Sequence, residues 1–156
     1  MINTMKLIGK LNMMIKMKTN IENKKVRFEY NILEKFEAGL VLTGKEVKGI
    51  FQGNVNLTDT YCYFKGNDLW VKNIYVSLNG DDNKREKKLL LKKSELSKLK
   101  SKLINGLTIV PTRIYFNERN FVKLEIVLAQ GKKIHDKRNT IKERDIQREL
   151  QSKSKW

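Results

Sequence analysis

Residues 107 to 129, LTIVPTRIYFNERNFVKLEIVLA, contain the strongest structural signal in this sequence. Two runs rich in β-branched and aromatic residues, 107–116 and 121–129, flank the polar tetrapeptide NERN, which is typical of a turn. The pattern predicts an antiparallel hairpin. Pro111 is the only proline of the chain, and because it has no backbone N–H to donate, it predicts an edge position for the first of the two strands.

Further strands are predicted upstream of the hairpin. Apolar and polar residues alternate over 26–32, which is the period-two pattern of a half-buried strand, and this strand is expected to extend to Leu42. Two more strand-like runs cover 55–63 and 69–76, and the sequence KGND at 65–68 between them is typical of a tight turn. The first two thirds of the folded region is therefore expected to be largely sheet.

Two helices are predicted among these strands. The segment KEVKGI, residues 45–50, indicates a short helix that ends near a glycine. The sequence NGDDN at 79–83 predicts a loop, and leucines at helical intervals among lysines over 89–103 then predict a long, basic, amphipathic helix. Five or six strands with one long helix and one or two short ones favour a mainly β fold, built as a small barrel.

The charge of the chain points to a polyanionic partner. There are 33 Lys and Arg against 17 Asp and Glu, a formal charge of +16, and nucleic acid is the first partner to consider. Ten of the sixteen excess charges lie in residues 1–25 and 131–156, which have too few apolar residues to fold alone. The alternative is that such ends only keep the protein soluble.

This distribution of charge divides the chain into three parts. We expect a variable basic extension over 1–22, an RNA-binding domain over 23–130, and a basic tail over 131–156 that is disordered when free.

Few residues could support catalysis or metal binding. One cysteine, Cys62, and one histidine, His135, are too few for a zinc site, and no glycine-rich phosphate-binding loop is present. No apolar run reaches the length of a membrane span. We therefore expect a soluble cytoplasmic protein with no catalytic residue, no metal and no cofactor. Among enzymes, the alternative is an RNA-processing activity that uses His135 and Asp136.

The segment GKKIHDKR, residues 131–138, combines four cations with the histidine directly after the last predicted strand. Lysine and arginine side chains neutralise phosphates and release their counterions. The ring of His135 can stack on a base, although an exposed histidine without a function is equally consistent with the sequence. The segment is therefore predicted to bind RNA.

Farther along the tail, TIKE at 140–143 is a capping box that predicts a helix. Three cations and one apolar side chain lie along a single face of that helix: Lys137, Ile141, Arg144 and Arg148. Because like charges weaken the isolated helix, we expect it to be marginal in solution and to be completed against RNA phosphates. A helix face that is merely solvated is the alternative.

Several motifs occur in a fixed order along the chain: NKK at residue 23, FEAGL followed by GKEVK, the strand NVNLTDTY, KKLLLKKSEL, and GKKIHDKR. Together they resemble the SsrA-binding protein family, SmpB. The similarity runs from about Asn23 to the C-terminus. FEAGL with GKEVK, and GKKIHDKR, are individually distinctive.

The resemblance implies a fold and a function. Members of the family have a barrel of the oligonucleotide-binding (OB) type with embedded helices and a basic C-terminal tail. They bind the tRNA-like domain of transfer-messenger RNA and enter stalled ribosomes with it, in trans-translation. The tail is implied to fold as a helix along the empty messenger channel, at the decoding region of the small subunit. We expect a monomer.

Two alternatives to this interpretation stay open. A generic ribosomal or translation-factor barrel would bind RNA without a role in ribosome rescue. If the N-terminal extension is a leader, the protein would act in an organelle matrix instead of the cytoplasm.

The resemblance also implies individual site residues. On the barrel the RNA-binding residues are Asn23, Lys24, Glu37, Leu90, Lys123, Gly131 and Lys132. In the tail the ribosome-binding residues are Lys133, His135, Asp136, Lys137, Arg138, Lys142, Arg144 and Arg148. Lysines hold phosphates, and Leu90 packs on a sugar or base. Glu37 accepts from a guanine edge or orients a lysine, and a salt bridge that only shapes the barrel surface is the alternative.

Overall fold

The computed structural model of the chain describes residues 20–103, 106–132 and 134–153. Most of the basic extension predicted over 1–22 therefore lies outside the described residues. The described residues form ten strands: β1 (Ile21–Glu22), β2 (Tyr30–Leu40), β3 (Val55–Asn56), β4 (Tyr61–Lys65), β5 (Asp68–Lys72), β6 (Tyr75–Leu78), β7 (Asp81–Asn83), β8 (Lys87–Leu90), β9 (Thr108–Phe116) and β10 (Val122–Gly131). They also form four helices: α1 (Lys24–Glu29), α2 (Gly44–Phe51), α3 (Lys93–Lys102) and α4 (Ile134–Lys153).

Six of the strands close into a barrel. The larger sheet has the strand order β1-β9-β10-β2-β8-β5-β4, and β4 also pairs with β9 through Cys62 and Ile109, which closes the sheet on itself. Strands β3, β6 and β7 form a second, smaller sheet. The mainly β fold class and the barrel are confirmed, although the described strands number ten instead of five or six.

The hairpin predicted from residues 107 to 129 is confirmed as β9 and β10, which pair over most of their length. The edge position predicted for Pro111 is wrong, because β9 has β10 on one side and β1 and β4 on the other. The missing N–H of Pro111 is tolerated because Pro111 lies between two short stretches in which β9 pairs with other strands. There Ile109 pairs with β4, and Arg113 pairs with β1.

The strand predicted over 26–32 starts later than expected, because its first half belongs to α1. Val26 is buried on the outer side of the barrel, where it packs with Val110 and Val127. Apolar residues four positions apart suit one turn of helix as well as a strand, so the alternation alone did not distinguish the two. Strand β2 ends at Leu40.

Two other predicted strands are broken by residues in the left-handed region. The run 55–63 divides into β3 and β4 at Asp59, whose φ is 59°, and the run 69–76 divides into β5 and β6 at Asn73, whose φ is 71°. The side-chain amide of Asn73 donates to the carbonyl of Asp59 at 3.3 Å. Each break moves the chain between the barrel and the smaller sheet.

The predicted short helix is confirmed as α2. A capping box that was not predicted starts it: the Thr43 hydroxyl accepts from the Glu46 amide, and the Glu46 carboxylate accepts from the Thr43 amide at 2.8 Å. Within α2, Gly49 lies so close to β6 that a Cβ there would stand 2.6 Å from Cγ1 of Val76. The glycine is therefore required by packing.

The predicted long helix is shorter than expected. Helix α3 begins at Lys93, whereas Leu89 lies in β8 and points into the core. The loop predicted at 79–83 is partly a strand, since its last three residues pair with β6 as β7. No helix among the described residues combines the length and the apolar character needed to cross a membrane.

The interior of the barrel is one apolar core to which every barrel strand contributes. Fully buried side chains from the barrel strands include Ala38, Leu69, Val71, Ile109, Ile114, Leu124 and Ile126. Because this core fixes which strand faces point outward, it also fixes the surface described next.

Candidate nucleic-acid interface

Two of the implied RNA-binding residues, far apart in the sequence, lie in one row on the outer surface of the barrel. Gly39 of β2 pairs with Leu90 of β8 on one side and with Lys123 of β10 on the other. Lys123 in turn pairs with Tyr115 of β9. We call Leu90, Gly39, Lys123 and Tyr115 the central row.

The exposed position of Leu90 depends on the glycine beside it. A Cβ at Gly39 would stand 3.3 Å from Cβ of Leu90, so the side chain of Leu90 packs against the backbone of β2. Leu90 is nevertheless 54% exposed. The row therefore offers an apolar contact next to a lysine, a combination that suits a ribose or base with its phosphate.

Two carboxylates face each other in the adjacent row, where Glu37 of β2 pairs with Glu125 of β10. Like charges directly opposite each other destabilise a sheet, and two side chains from β9 offset this repulsion. The Tyr115 hydroxyl donates to Glu37, and Arg113 Nε donates to Oε2 of Glu125 at 2.6 Å. The Arg113 guanidinium also lies 4.4 Å from the centre of the Tyr115 ring. A tyrosine hydroxyl thus holds Glu37 in place.

This network sets the charge states of its members. Burial, followed by the hydrogen bond to Glu37, raises the pKa of Tyr115. Burial by itself would raise the pKa of Glu125, but hydrogen bonds from Arg113 and Thr112 lower it overall. At neutral pH, Tyr115 is therefore a neutral donor and Glu125 an ionised acceptor. Sequence patterns did not indicate Arg113 or Tyr115, because their roles depend on cross-strand register.

Asn23 fixes the start of α1 to the barrel. Its side-chain amide donates to the carbonyls of Leu57 and Pro111 at 2.9 and 3.4 Å, and its backbone N–H donates to the Thr112 carbonyl at 2.6 Å. Lys24, the first residue of α1, is exposed. The structure therefore gives Asn23 an anchoring contact and leaves Lys24 at the surface.

Gly131 and Lys132 form the junction between barrel and tail. Gly131 ends β10 opposite Tyr30. The Lys132 amide donates to the Glu29 carbonyl at 2.8 Å, and its Nζ donates to the Arg27 carbonyl at 3.1 Å. Both contacts fix the start of the tail to α1.

The implied tail residues lie on or before α4. Those with described side chains are all exposed: Arg138, Lys142, Arg144 and Arg148. Lys133 lies outside the described residues, and for His135, Asp136 and Lys137 only the helical backbone is described.

The prediction that a capping box at 140–143 starts the tail helix is wrong. Helix α4 begins at Ile134, so Thr140 lies inside it. Residues 134–139 include no glycine or proline, and nothing in their sequence therefore stops the helix from beginning directly after the junction.

A cleft of about 580 Å³ lies between α4 and the outer side of the barrel. It brings residues implied on the barrel together with residues implied in the tail. Its charged lining consists of six cations and two acids: Lys24, Arg27, Lys35, Arg113, Arg144, Arg148, Glu22 and Glu125. The guanidinium of Arg144 also lies 6.0 Å from the centre of the Phe28 ring of α1. The excess of positive charge suits a phosphate group.

A buried ion pair fixes the strand that carries Leu90. Lys87 of β8 and Glu46 of α2 are 0% and 1% exposed, and Nζ lies 3.1 Å from Oε2. Nζ of Lys87 also donates to the Arg85 carbonyl at 2.7 Å, and the Arg85 guanidinium donates to Oε1 of Glu46 at 2.6 Å. Burial by itself would raise the pKa of Glu46, but hydrogen bonds from Arg85 and Thr43 to Oε1, together with the adjacent Lys87 ammonium, lower it to about 2. The KEVK and KKLL motifs are thus in direct contact.

Metal binding and thiol chemistry find little support among the described residues. They contain no group of three or more His, Cys, Asp or Glu side chains placed to hold a metal ion. Cys62 is buried in the barrel, and this burial raises the pKa of its thiol, so the thiol stays protonated at neutral pH.

Comparisons with known proteins agree on one family. The family model described as "SmpB protein" matches residues 20–156. The chain is 47% identical over 138 residues to an SsrA-binding protein of Phocaeicola vulgatus, with 84% of this chain and 92% of that protein covered. It is 46% identical over 142 residues to one of Cytophaga hutchinsonii, with 85% and 91% covered.

A solved structure is similar as well. A chain from the structure "tmRNA-SmpB: a journey to the center of the bacterial ribosome" matches with a TM-score of 0.62 and 41% sequence identity. The match covers 74% of this chain and 86% of that chain. Fold and sequence therefore lead to the same relatives.

Proposed function

The chain belongs to the SmpB family, and from this premise we propose that it binds the tRNA-like domain of transfer-messenger RNA and delivers it to stalled ribosomes for trans-translation. Its relatives are named for binding SsrA, and the similar structure is named for tmRNA, SmpB and the bacterial ribosome. The protein acts by recognition, makes or breaks no bond, and works in the cytoplasm as a monomer.

The central row is the observation that carries this proposal. Leu90 and Lys123, which come from opposite parts of the sequence, flank Gly39 on one exposed surface, and Glu37 lies two residues from that glycine on the same strand. Leu90 is 54% exposed and so adds little to the core, which leaves its side chain accessible beside the cation of Lys123. The arrangement suits one RNA segment that contacts all three side chains.

Each barrel residue has a distinct task in the proposed complex. Lys24, Lys123 and Lys132 neutralise phosphates, and Leu90 packs on a sugar or base. Glu37, held by Tyr115, accepts a hydrogen bond from a base edge. Asn23 and Gly131 act through the backbone, since one anchors α1 and the other ends β10 at the junction.

The tail supplies the ribosome contacts in this proposal. Its helix places Arg138, Lys142, Arg144 and Arg148 at the surface, where ribosomal RNA phosphates at the decoding region and along the messenger channel can reach them. Lys133, His135, Asp136 and Lys137 precede them, and His135 stacks on a base. The change of the tail from a disordered to an ordered state on the ribosome stays a prediction.

The direct test is RNA binding by the full chain and two matched variants. The Lys123→Ala variant should bind a transcript of the tRNA-like domain roughly tenfold more weakly than the unaltered chain, because a charge-assisted phosphate contact is lost. The Lys48→Ala variant removes the same charge from the exposed face of α2 and should bind normally. Equal loss in both variants would show general electrostatic attraction only.

Comparison with an ordinary tRNA separates the alternatives. Preference for the tRNA-like domain supports the proposal, whereas equal affinity supports a generic RNA-binding barrel. A His135→Ala variant addresses the enzyme alternative. Intact RNA binding with failed peptide tagging supports recognition, while loss of an RNA-cleaving activity of the full chain would contradict it.

A further inference from the structure

A second surface adjoins the central row on the outer side of β4 and β5. Tyr63 pairs with Trp70, and Trp70 pairs with Lys88 of β8. Tyr61 pairs with Lys72 two residues along the same two strands, and its ring centre lies 6.3 Å from that of Tyr63. We call Tyr61, Tyr63 and Trp70 the aromatic platform.

The aromatic platform lies outside the core. The residues that alternate with it, Cys62, Leu69 and Val71, are buried within the barrel, and successive residues of a strand point to opposite faces. Within the platform, Tyr61 is 41% exposed and the other two rings are half-buried. Strand propensity explains aromatic residues in these strands, but it does not explain why all three point outward.

Lysines surround the aromatic platform. Nζ of Lys65 lies 4.7 Å from the centre of the Trp70 ring. Lys65 and Lys72 both pair with Glu86, at 3.3 and 3.8 Å. Lys100 of α3 reaches the turn between the two strands. Flat rings interleaved with flexible cations are the surface expected for single-stranded nucleic acid, whose bases stack while its phosphates are neutralised.

The aromatic platform is continuous with the central row. Lys88 and Leu90 are two residues apart on β8, so both point to the outer face. Lys88 is also the cross-strand neighbour of Trp70. Leu90 and Trp70 therefore lie within reach of one strand of RNA that crosses the sheet.

We propose that the aromatic platform stacks unpaired bases of the RNA held by the central row, while Lys65 and Lys72 neutralise the phosphates of the same segment. This inference rests on the proposed function. In the free protein Lys65 covers the Trp70 ring, and an incoming base takes its place. Lys65, the last residue of β4, then contacts a phosphate instead.

Tryptophan fluorescence tests the stacking directly. The chain has two tryptophans, Trp70 and Trp156, so a Trp156→Phe variant leaves Trp70 as the only reporter. Titration with a transcript of the tRNA-like domain should quench the Trp70 emission and shield it from acrylamide. A single-stranded oligoadenylate should also quench it, whereas a fully paired RNA duplex of equal length should not. Unchanged emission with RNA bound would overturn the proposal.

Affinity measurements on two Trp70 variants complete the test. Trp70→Leu removes the stacking surface and should raise the Kd for the tRNA-like domain roughly 5- to 100-fold, as expected for one stacked base. Trp70→Phe keeps an aromatic ring and should retain most of the affinity. Equal binding by both variants would contradict the proposal, and equal thermal melting of both would exclude misfolding as the cause of a loss.

The outcomes also separate this inference from the proposed function. If Lys123→Ala weakens binding and Trp70→Leu does not, the central row binds RNA without the aromatic platform, and the inference alone fails. If the full chain shows no preference for the tRNA-like domain while oligoadenylate still quenches Trp70, the platform is a general single-strand site and the proposed function fails.

Discussion

Apolar side chains inside the barrel are buried, whereas those described on the tail helix are exposed. Leu69 and Leu124 on the barrel strands are 0% exposed, while Ile146 and Leu150 on α4 are 57% and 62% exposed. A helix in a protein gains most of its stability from the packing of an apolar face. The barrel therefore supplies its own stability, and α4 has to gain stability from a partner.

Charge is arranged differently in the two regions as well. On the barrel, cations share carboxylates, as Arg113 and Lys35 do with Glu125 at 2.6 and 3.9 Å. On α4, Arg144 and Arg148 line the same cleft as this group and raise its charged lining to six cations against two acids. Where cations outnumber acids in this way, the excess charge has to be neutralised by ions or by an anionic partner.

The largest expected effect concerns the stability of the barrel. Glu46→Gln leaves the buried ammonium of Lys87 without its counter-charge, and we expect the free energy of unfolding to fall by about 3 to 5 kcal/mol. Chemical denaturation monitored by circular dichroism measures this change. Glu34→Gln removes a carboxylate that pairs with Lys98 and Lys102 at the surface, and should change stability far less. Equal effects would show that burial of the pair is unimportant.

The same variant should alter the response to acid. The folded pKa of Glu46, about 2, lies below its ordinary value of 4.5, so its contribution to stability is complete above that ordinary value. The contribution is lost as the pH falls through the folded pKa. In Glu46→Gln this part of the acid dependence should disappear, which denaturation curves at a series of pH values below 5 would detect.

Sequence patterns predicted the parts of this fold that local chemistry determines. The hairpin of β9 and β10 and the helix α2 follow from residues adjacent in the chain. The breaks at Asp59 and Asn73 were missed, because each is stabilised by a contact between them across 14 residues. The site residues came from family motifs, whereas the link between Tyr115 and Glu37 spans 78 residues and could not be read from either segment alone.

A truncation divides the two regions most directly. Ending the chain after Lys132 keeps the pairing of Gly131 with β2 and the contacts of Lys132 with α1. We expect unchanged melting and near-normal binding of the tRNA-like domain. Peptide tagging on stalled ribosomes should fall roughly 10²-fold or more, the loss expected when one of two linked binding elements is removed. Equal loss of RNA binding and tagging would contradict the division.

The salt dependence of RNA binding reports how many phosphates each region of the protein contacts. If Lys24, Lys123 and Lys132 hold one phosphate each, a plot of log Kd against log salt should have a slope of roughly 2 to 3, and of roughly 3.5 to 4.5 if Lys65 and Lys72 hold two more at the aromatic platform. The full chain and the chain truncated after Lys132 should share this slope, because the tail contacts are kept for the ribosome. A markedly steeper slope for the full chain would show that Arg144 and Arg148 also bind the tRNA-like domain from across the cleft.

The smallest effect separates direct contact from positioning within the barrel. Tyr115→Phe removes the hydroxyl that holds Glu37 but keeps the ring beside Arg113, and should weaken binding of the tRNA-like domain roughly 2- to 10-fold, the worth of one hydrogen bond. Tyr75→Phe makes the same change in the smaller sheet and should leave binding unaltered.

A double variant tests whether Tyr115 acts through Glu37. Glu37→Gln combined with Tyr115→Phe should weaken binding no more than Glu37→Gln alone, because both changes act through one carboxylate. Additive losses would mean that the Tyr115 hydroxyl contacts the RNA itself, and that the barrel recognises its partner with one more side chain than the family motifs contain.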